Sequence, residues 1–292
     1  MNIIQVYKQF PTKQDCIKHL EQVRWSGTPV CPYCKSTNQT PVKNSNRYHC
    51  NTCNTSFSVT VATIFHKTKC DLQKWFVAIS LVLNAKKGYS ARQLGRDIEV
   101  TKDTAWYMFM RIRKAFVDKT ESELMTGIIE ADETYIGGKN KNRHADKKTK
   151  GGQGRGGEDK TPVIGLLQRN GKVVAKKAKD VSGKTLTSFI KKNVKEGETV
   201  STDEWAGYNR VSQKFNHLIV AHGQGEYVKG EAHTNSLEGF WSLFKRGIVG
   251  QYHQISEKHL DRYVEEFCFR YNNRKIDAKI TFALVINKAV NI

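Results

Sequence analysis

Two pairs of cysteines near the start of the chain constrain its folding more than any other sequence feature. The first CxxC pair is Cys31 and Cys34, the second is Cys50 and Cys53, and fifteen residues lie between the pairs. Two residues between thiolates let both sulfur atoms of a pair approach one ion, and two pairs complete a tetrahedral zinc shell. Four protein ligands leave no position for water or substrate. We therefore expect a structural zinc ion and a zinc ribbon over residues 1–66.

The charge of the chain favours a nucleic-acid partner. It has 48 Lys and Arg residues against 28 Asp and Glu, a formal net charge of +20, and the basic residues occur along its whole length. A field of this sign and size attracts polyanions, so we expect double-stranded DNA as the partner.

Cysteine usage and hydropathy bear on the compartment. An odd total of seven cysteines, four of them in two close pairs, is typical of metal binding under reducing conditions. Neither a secretory signal nor an apolar stretch of membrane-spanning length is visible in the sequence. We expect a cytoplasmic, nucleoid-associated protein of prokaryotic type that makes no contact with a membrane.

The segment after the ribbon, residues 70–120, shows helical periodicity and resembles a helix-turn-helix. Ser90 and Thr101 are candidate N-caps for its two short helices. In such a motif the second helix presents its N-terminal residues to the major groove. We therefore predict DNA contacts from three residues: Lys102, Thr104 and Arg111. The alternative is a helical linker whose apolar residues are simply core: Trp106, Phe109 and Ile112.

From Gly127 onward the pattern changes to five short β-rich runs interspersed with helices, which predicts a third domain over residues 125–292. Residues 137–161, between its first two strands, are rich in Gly and Lys and predict a flexible basic loop. The chain as a whole is expected to be a multidomain α+β protein.

Three acidic residues stand out by their placement in this domain. Asp132 lies in the first predicted strand, Asp203 where the fourth ends, and Glu238 in the helix that follows. A carboxylate near a core is costly unless it is paired or binds a metal ion. Two strand carboxylates and one helix carboxylate can hold two Mg²⁺ or Mn²⁺ ions for phosphodiester displacement. Glu130, on the same strand face as Asp132, ranks below it as a ligand.

The helix that carries Glu238 has an apolar face. At 100° per residue, four large side chains share this face and are expected to be buried: Leu237, Phe240, Trp241 and Phe244. Glu238 and Lys245 lie seven residues apart on an adjoining stripe. We therefore expect Glu238 to face the metal ions, and Lys245 with the adjacent Arg246 to contact DNA phosphates.

Four blocks of sequence now identify a family. They are the double CxxC, residues 131–138 (ADETYIGG), residues 202–208 (TDEWAGY) and residues 233–246 (HTNSLEGFWSLFKR). With them the chain resembles the insertion-sequence transposases of the DDE superfamily that have an N-terminal zinc ribbon, the ISXO2-like type.

The resemblance implies an RNase H-like fold with a mixed five-stranded sheet. It also implies a catalytic triad of Asp132, Asp203 and Glu238, with Lys245 downstream. Some relatives are described by an asparagine at the third catalytic position, which makes Asn235 the alternative to Glu238.

The expected function is that of a DNA transposase. Its ribbon and helix-turn-helix would bind the terminal inverted repeats of the transposon, and its carboxylates would serve strand cleavage and strand transfer into target DNA. The resemblance implies a homodimer or a higher oligomer on DNA, because two transposon ends must be joined. A stand-alone RNase H-like nuclease and a non-catalytic zinc-ribbon regulator are the two alternatives.

Overall fold

The computed structural model describes residues 1–117, 123–137, 160–220 and 233–291. The flexible basic loop predicted at residues 137–161 lies, apart from its ends, outside the described residues. The chain divides into two compact units, one of residues 1–117 with 275–292 and the other of residues 118–274. Within the described ranges, every helix is too short or too polar to cross a membrane.

The first unit begins with two helices that the sequence reading did not predict, α1 (Ile3–Gln9) and α2 (Lys13–Trp25). Each starts with a capping box, from Asn2 and from Thr12 respectively. A three-stranded antiparallel sheet follows, built from β1 (Gln39–Pro41), β2 (Tyr48–Cys50) and β3 (Thr55–Phe57). This is the expected zinc ribbon.

Three helices come next, α3 (Leu72–Asn84), α4 (Ala91–Asp97) and α5 (Lys102–Ile112). Ser90 and Thr101 cap α4 and α5 through their side chains, as the sequence predicts. Glu99, in the turn between them, has a left-handed backbone with φ of 53°. The pair therefore forms the expected helix-turn-helix.

The last helix, α9 (Ala278–Val290), is grouped with this first unit. Its Phe282 ring lies 5.9 Å from the Phe76 ring of α3 and 6.5 Å from that of Phe10. The third domain was expected to extend to residue 292. In the structure, residues 275–291 pack instead with the N-terminal helices, because α9 buries its apolar side chains there.

The second unit contains a five-stranded mixed sheet with the spatial order β6-β5-β4-β7-β8. Its strands are β4 (Ile128–Ile136), β5 (Thr161–Gln168), β6 (Val173–Lys177), β7 (Thr199–Asp203) and β8 (Asn216–Val220). The pairs β4–β5 and β5–β6 are antiparallel, whereas β4–β7 and β7–β8 are parallel. This is the RNase H-like arrangement that the family resemblance implies.

Helices cover both faces of this sheet. Ile129 and Ala131 of β4 join an apolar cluster with α6 (Gly183–Asn193) on one face. Alternate residues of a strand point to opposite faces. Glu130 accordingly contacts α7 (Asn235–Gly247) on the other face. The four side chains predicted to be the buried face of α7 are all buried: Leu237, Phe240, Trp241 and Phe244.

The outer strand β6 is bordered by α8 (Leu260–Asn272). Asn272 accepts a hydrogen bond from the Val173 amide at 2.7 Å and donates to the Val173 carbonyl at 3.0 Å. Asp261 accepts from the Lys177 amide at 2.9 Å. Side chains of α8 thus satisfy backbone groups that an edge strand would otherwise expose.

Candidate active site and zinc site

Asp132 and Asp203 lie on adjacent parallel strands, each two residues beyond the last residue pair that joins those strands. The register of β4 and β7 pairs Glu130 with Ser201, and Asp132 and Asp203 follow at the same interval. Because residues two apart in a strand point to the same face, both carboxylates lie on the face of the sheet that Glu130 and Ser201 share. Asp203 ends its strand and accepts a hydrogen bond at Oδ1 from the Trp205 amide at 3.1 Å.

The environment of Asp132 is strongly acidic. Burial, and then the negative charges of Glu133, Asp203 and Glu238, raise the pKa of its carboxyl from 3.8 to about 7. Desolvation and like charges both disfavour the ionised form, and both act here. Asp203 and Glu238 were both predicted to share a site with Asp132. They are close enough to affect the ionisation of its carboxyl.

Glu238 lies on the first turn of α7, where its Oε1 accepts a hydrogen bond from Thr234 Oγ1 at 2.9 Å. Asn235, the alternative third residue, is the first residue of the same helix and is exposed. Three residues along a helix correspond to a rotation of about 300°, which leaves the two side chains about 60° apart on one side of the helix. Glu238 is exposed like Asn235, and the two are neighbours on the helix surface.

Glu133, which period two places on the opposite strand face, is buried there beside Tyr208. The Tyr208 hydroxyl donates to Glu133 Oε2 at 3.0 Å. Burial, and then the charges of Glu133 and Asp132, raise the pKa of Tyr208 well above its usual value of 10, so the phenol remains a donor. The sequence reading did not single out Tyr208, because only the folded chain brings it to Glu133.

The donor set fits a hard divalent cation. Mg²⁺ and Mn²⁺ prefer carboxylate oxygens, and the cluster around Asp132 offers three or more of them. A carboxyl whose ionisation is suppressed by burial and by neighbouring carboxylates would be stabilised by added positive charge. The three carboxylates are spaced more widely than the ligands of the zinc site. In the part of the chain that the structure describes, only the four cysteine sulfurs form a group whose members all lie within 4.8 Å of one another.

A second acidic residue of β4, Glu130, is completely buried and faces α7. Its carboxylate lies 3.0 Å from Arg169 Nε, 3.2 Å from His233 Nδ1 and 2.9 Å from the Leu237 amide. Both oxygens are therefore engaged by neighbouring groups of the protein. The sequence placed Glu130 on the correct face of the strand but gave no sign of these partners.

The four predicted zinc ligands converge on one point of the first unit. Their sulfur atoms all lie within 4.8 Å of one another, with Cys31 to Cys53 at 3.7 Å and Cys34 to Cys50 at 3.5 Å. The residue after each pair, Lys35 and Asn54, has a left-handed backbone with φ of 65° and 52°. Each pair therefore turns in the same way around the common centre, as two knuckles of a tetrathiolate site would.

A small aromatic core supports this site. Cys31, Cys50 and Phe57 are fully buried, and the rings of Trp25 and Tyr48 pack against Phe57. So few apolar residues contribute modest stability, and a bound zinc ion supplies much of the remainder in domains of this size.

The helix α5 presents the residues predicted to bind DNA. Lys102 and Thr104 lie in its first turn, and Trp106 and Tyr107 are 43% and 42% exposed on the same helix. The helical-linker alternative placed Trp106, Phe109 and Ile112 in the core. Phe109 and Ile112 are buried, whereas Trp106 is exposed.

Arg111 has a different environment from the phosphate contact that was expected. Its Nη1 donates to the carbonyl oxygens of Ile64 and His66, each at 2.7 Å. Its guanidinium lies over the Tyr107 ring, 4.6 Å from the centroid. These contacts secure the chain that enters α3 and hold the Tyr107 ring in place.

A groove of about 370 Å³ runs along the same helix. Two exposed lysines, Lys67 and Lys69, line it together with Asp103, Thr104 and Tyr107 of α5. In the second unit, Lys245 and Arg246 are exposed in the last turn of α7, two turns after Glu238. Each location places positive charge where a phosphate backbone could approach.

Two protein families match the chain. Residues 124–272 match the family described as the ISXO2-like transposase domain, and residues 11–56 match the transposase zinc-ribbon domain. The first match contains Asp132, Asp203 and Glu238, and the second contains all four cysteines of the ribbon.

Similar proteins include a protein of the transposable element ISH50 from Halobacterium salinarum. It is 29% identical over 275 residues, covering 90% of this chain and 92% of that protein. A transposase-like protein of Haemophilus influenzae is 26% identical over 103 residues, covering 35% of this chain and 82% of that protein. Among solved structures, the Mos1 strand transfer complex is 12% identical with a TM-score of 0.30, covering 72% and 73% of the two chains.

Proposed function

The chain belongs to the family of ISXO2-like transposases, and on this basis we propose that it cleaves transposon ends and joins them to target DNA. The observation that carries the proposal is the acidic cluster of Asp132, Asp203 and Glu238. Asp132 and Asp203 each lie two residues beyond the last pair of two parallel strands, and the charges of Asp203 and Glu238 both act on the Asp132 carboxyl. Together they form a site of suitable chemistry for phosphodiester displacement.

Asp132, Asp203 and Glu238 would hold divalent magnesium or manganese. When bound there, such ions activate a water or a 3′-hydroxyl as the nucleophile and stabilise the leaving oxygen. The Asp132 side chain is partly buried at the sheet, so its carboxylate is only partly accessible to solvent. The Trp205 amide keeps the Asp203 carboxylate oriented at the end of its strand.

Glu238 is the better candidate than Asn235 for the third ligand. The charge of Glu238 contributes to the raised pKa of Asp132, which supports a position facing that carboxyl. A carboxylate also binds a hard dication more strongly than an amide oxygen does. Asn235 would then lie at the border of the site, where it could orient DNA.

The first unit would recognise the terminal inverted repeats. The start of α5, with Lys102 and Thr104, would enter the major groove of the DNA. Lys67 and Lys69, which line the protein groove beside α5, would contact phosphates. The ribbon would hold zinc and position DNA, and its complete thiolate shell would take no part in catalysis. Lys245 and Arg246 would contact the DNA end beside Glu238.

Two copies of the chain would act together, because transposition joins two ends. The domain limits proposed from the sequence, residues 1–66, 70–120 and 125–292, would correspond to DNA holding, DNA reading and catalysis. The packing of α9 moves the end of the catalytic part to about residue 274.

A strand-transfer assay tests the proposal. Purified protein is incubated with Mg²⁺, a plasmid target and a labelled duplex of the element's own terminal repeat with a free 3′-hydroxyl. Wild-type protein should yield labelled plasmid, and Asp132→Asn should bind the duplex but yield none. The matched control is Glu204→Gln, which changes an exposed acidic residue beside Asp203 and should retain activity.

Two outcomes would contradict the proposal. Hydrolysis of the duplex without any joined product would favour the stand-alone nuclease. Sequence-specific binding with no cleavage, identical in wild type and Asp132→Asn, would favour the non-catalytic regulator.

A further inference from the structure

Glu130 makes contacts that a surface or ligand carboxylate would not make. Its side chain is completely buried on β4, two residues before Asp132 and on the same face. Oε1 accepts a hydrogen bond from Arg169 Nε at 3.0 Å, and Oε2 accepts one from the Leu237 amide at 2.9 Å. The Leu237 amide is in the first turn of α7, where backbone N–H groups have no partner within the helix.

Two further side chains hold the residue that leads into α7. Arg169 Nη2 and Ser201 Oγ both donate to the His233 carbonyl, at 3.1 Å and 3.0 Å. Ser201 belongs to β7, and Arg169 directly follows β5. Hydrogen bonds from three neighbouring parts of the sheet therefore converge on the start of one helix.

These buried hydrogen bonds are an unusual way to attach a helix to a sheet, because apolar contacts alone would serve. Removing a carboxylate from water carries a desolvation cost, and an apolar replacement for a buried ion pair often stabilises a fold as well or better. Hydrogen bonds differ from apolar contacts in that they fix direction and distance. The Glu130 contact therefore fixes the depth and rotation of α7, whereas its apolar face alone would permit small shifts along the sheet.

The Leu237 amide, which Glu130 holds, is adjacent to the proposed metal ligand Glu238. Glu238 directly follows Leu237, and one residue of a helix corresponds to about 1.5 Å and 100°. Holding the Leu237 amide thus determines where the Glu238 side chain leaves the helix. Metal–oxygen distances tolerate only about 0.2 Å of error, so small displacements of α7 would matter at the site.

We propose that Glu130 is a positioning residue, which holds α7 so that Glu238 faces Asp132 with the geometry required for a divalent ion. Arg169 and Ser201 act with it through the His233 carbonyl. The inference rests on the proposed role of Asp132, Asp203 and Glu238 as metal ligands. It assigns Glu130 no contact with the metal or DNA, because both its oxygens are bound within the protein.

The test measures Mn²⁺ binding to the full, zinc-loaded chain by isothermal titration, with Glu130→Ala, Glu238→Ala and the double variant. Replacing groups that orient ligands commonly weakens metal affinity 10- to 100-fold, roughly, and Glu130→Ala should weaken Mn²⁺ binding by that order. In the Glu238→Ala background the same change should have almost no effect, because Glu130 acts through Glu238.

The matched control is Asn272→Ala. It also removes a side chain that hydrogen-bonds to the backbone in the same unit, from α8 to β6. It should lower the melting temperature and leave Mn²⁺ affinity unchanged. A general loss of stability therefore gives a different result from a loss of positioning.

Glu130→Gln serves where the alanine variant does not fold. It keeps the size of the side chain and one acceptor oxygen, so it should weaken Mn²⁺ binding by a smaller factor and again only when Glu238 is present. Unchanged affinity in folded Glu130 variants, or an equal loss with and without Glu238, overturns the inference. Equal affinity of wild type and Glu238→Ala would instead overturn the proposed metal site itself.

Discussion

The indole ring of Trp241 lies directly against the backbone of Gly165, the residue paired with Asp132 across β4 and β5. A Cβ atom at Gly165 would come within 2.6 Å of Trp241 Cζ2, closer than carbon atoms can approach. Because Trp241 is buried at 4% exposure, its ring has little room to move. The absence of a side chain at Gly165 is thus what allows α7 to lie close to the strand that bears Asp132.

Gly165→Ala should therefore destabilise the second unit. Overpacking a buried contact costs about 1–3 kcal/mol in the free energy of unfolding. The control is Gly239→Ala on α7, where a Cβ would meet no described atom within 4 Å. Alanine in an exposed helical position should be neutral or stabilising by up to about 1 kcal/mol. Urea denaturation measures both; equal effects would contradict this packing.

Asp132→Asn should stabilise the protein above about pH 7 when no Mg²⁺ or Mn²⁺ is added. Burial and then nearby carboxylates raise the pKa of Asp132 from 3.8 to about 7, so between these values the folded chain keeps a proton that the unfolded chain releases. The wild type therefore loses stability as pH rises through this window, on the order of a few kcal/mol, whereas asparagine does not titrate.

Denaturation of zinc-loaded protein at about pH 5 and about pH 8 measures this difference, which should grow toward the higher pH. Added Mg²⁺ should stabilise the wild type and not the variant. A stability difference that stays constant across the pH range would show that the carboxyl is ionised throughout.

Cys50→Ser should abolish zinc binding and unfold the ribbon. Cys50 is fully buried among the other three ligands and Phe57, and loss of one thiolate breaks the tetrahedral shell. Cys70→Ser is the control, because Cys70 lies outside the cluster and is half-buried. Zinc content by atomic absorption, with limited proteolysis of the N-terminal residues, distinguishes the two. Retention of zinc by Cys50→Ser would contradict the assignment.

Lys102→Ala should weaken binding to a terminal-repeat duplex and reduce its salt dependence. Loss of one phosphate contact lowers the slope of log affinity against log salt by about 1. Lys18→Ala, which removes an exposed lysine of α2 in the same unit, should leave the slope nearly unchanged. Fluorescence anisotropy at several salt concentrations provides both values. The same slope for both variants would argue against α5 as the DNA-reading helix.

The sequence was most informative where a local pattern determines the structure. The caps at Ser90 and Thr101, the five strands of the sheet and the buried face of α7 all follow from short-range periodicity and capping, and the structure confirms them. The four cysteines were predicted equally well, because their spacing alone indicates a shared zinc ion.

What could not be predicted depends on contacts between distant residues. Glu130 contacts Arg169, which is 39 residues further along the chain, and Leu237, which is 107 residues further along. No local sequence pattern predicts either contact. The helix α9 was missed for another reason. Its large apolar residues occur on both its buried and its exposed sides, including Ile280 at 62% exposure, so its periodicity is weak.

The place of α9 also determines how the polypeptide can be divided. The backbone leaves the amino-terminal unit after residue 117 and returns to it at residue 275, so the sheet-bearing unit is an insertion with two covalent connections. A fragment that starts near residue 125 would remove α9 from the helices that cover Phe282. Conversely, a single proteolytic cut after residue 117 would leave both pieces associated through that helix, as a nicked but undissociated protein.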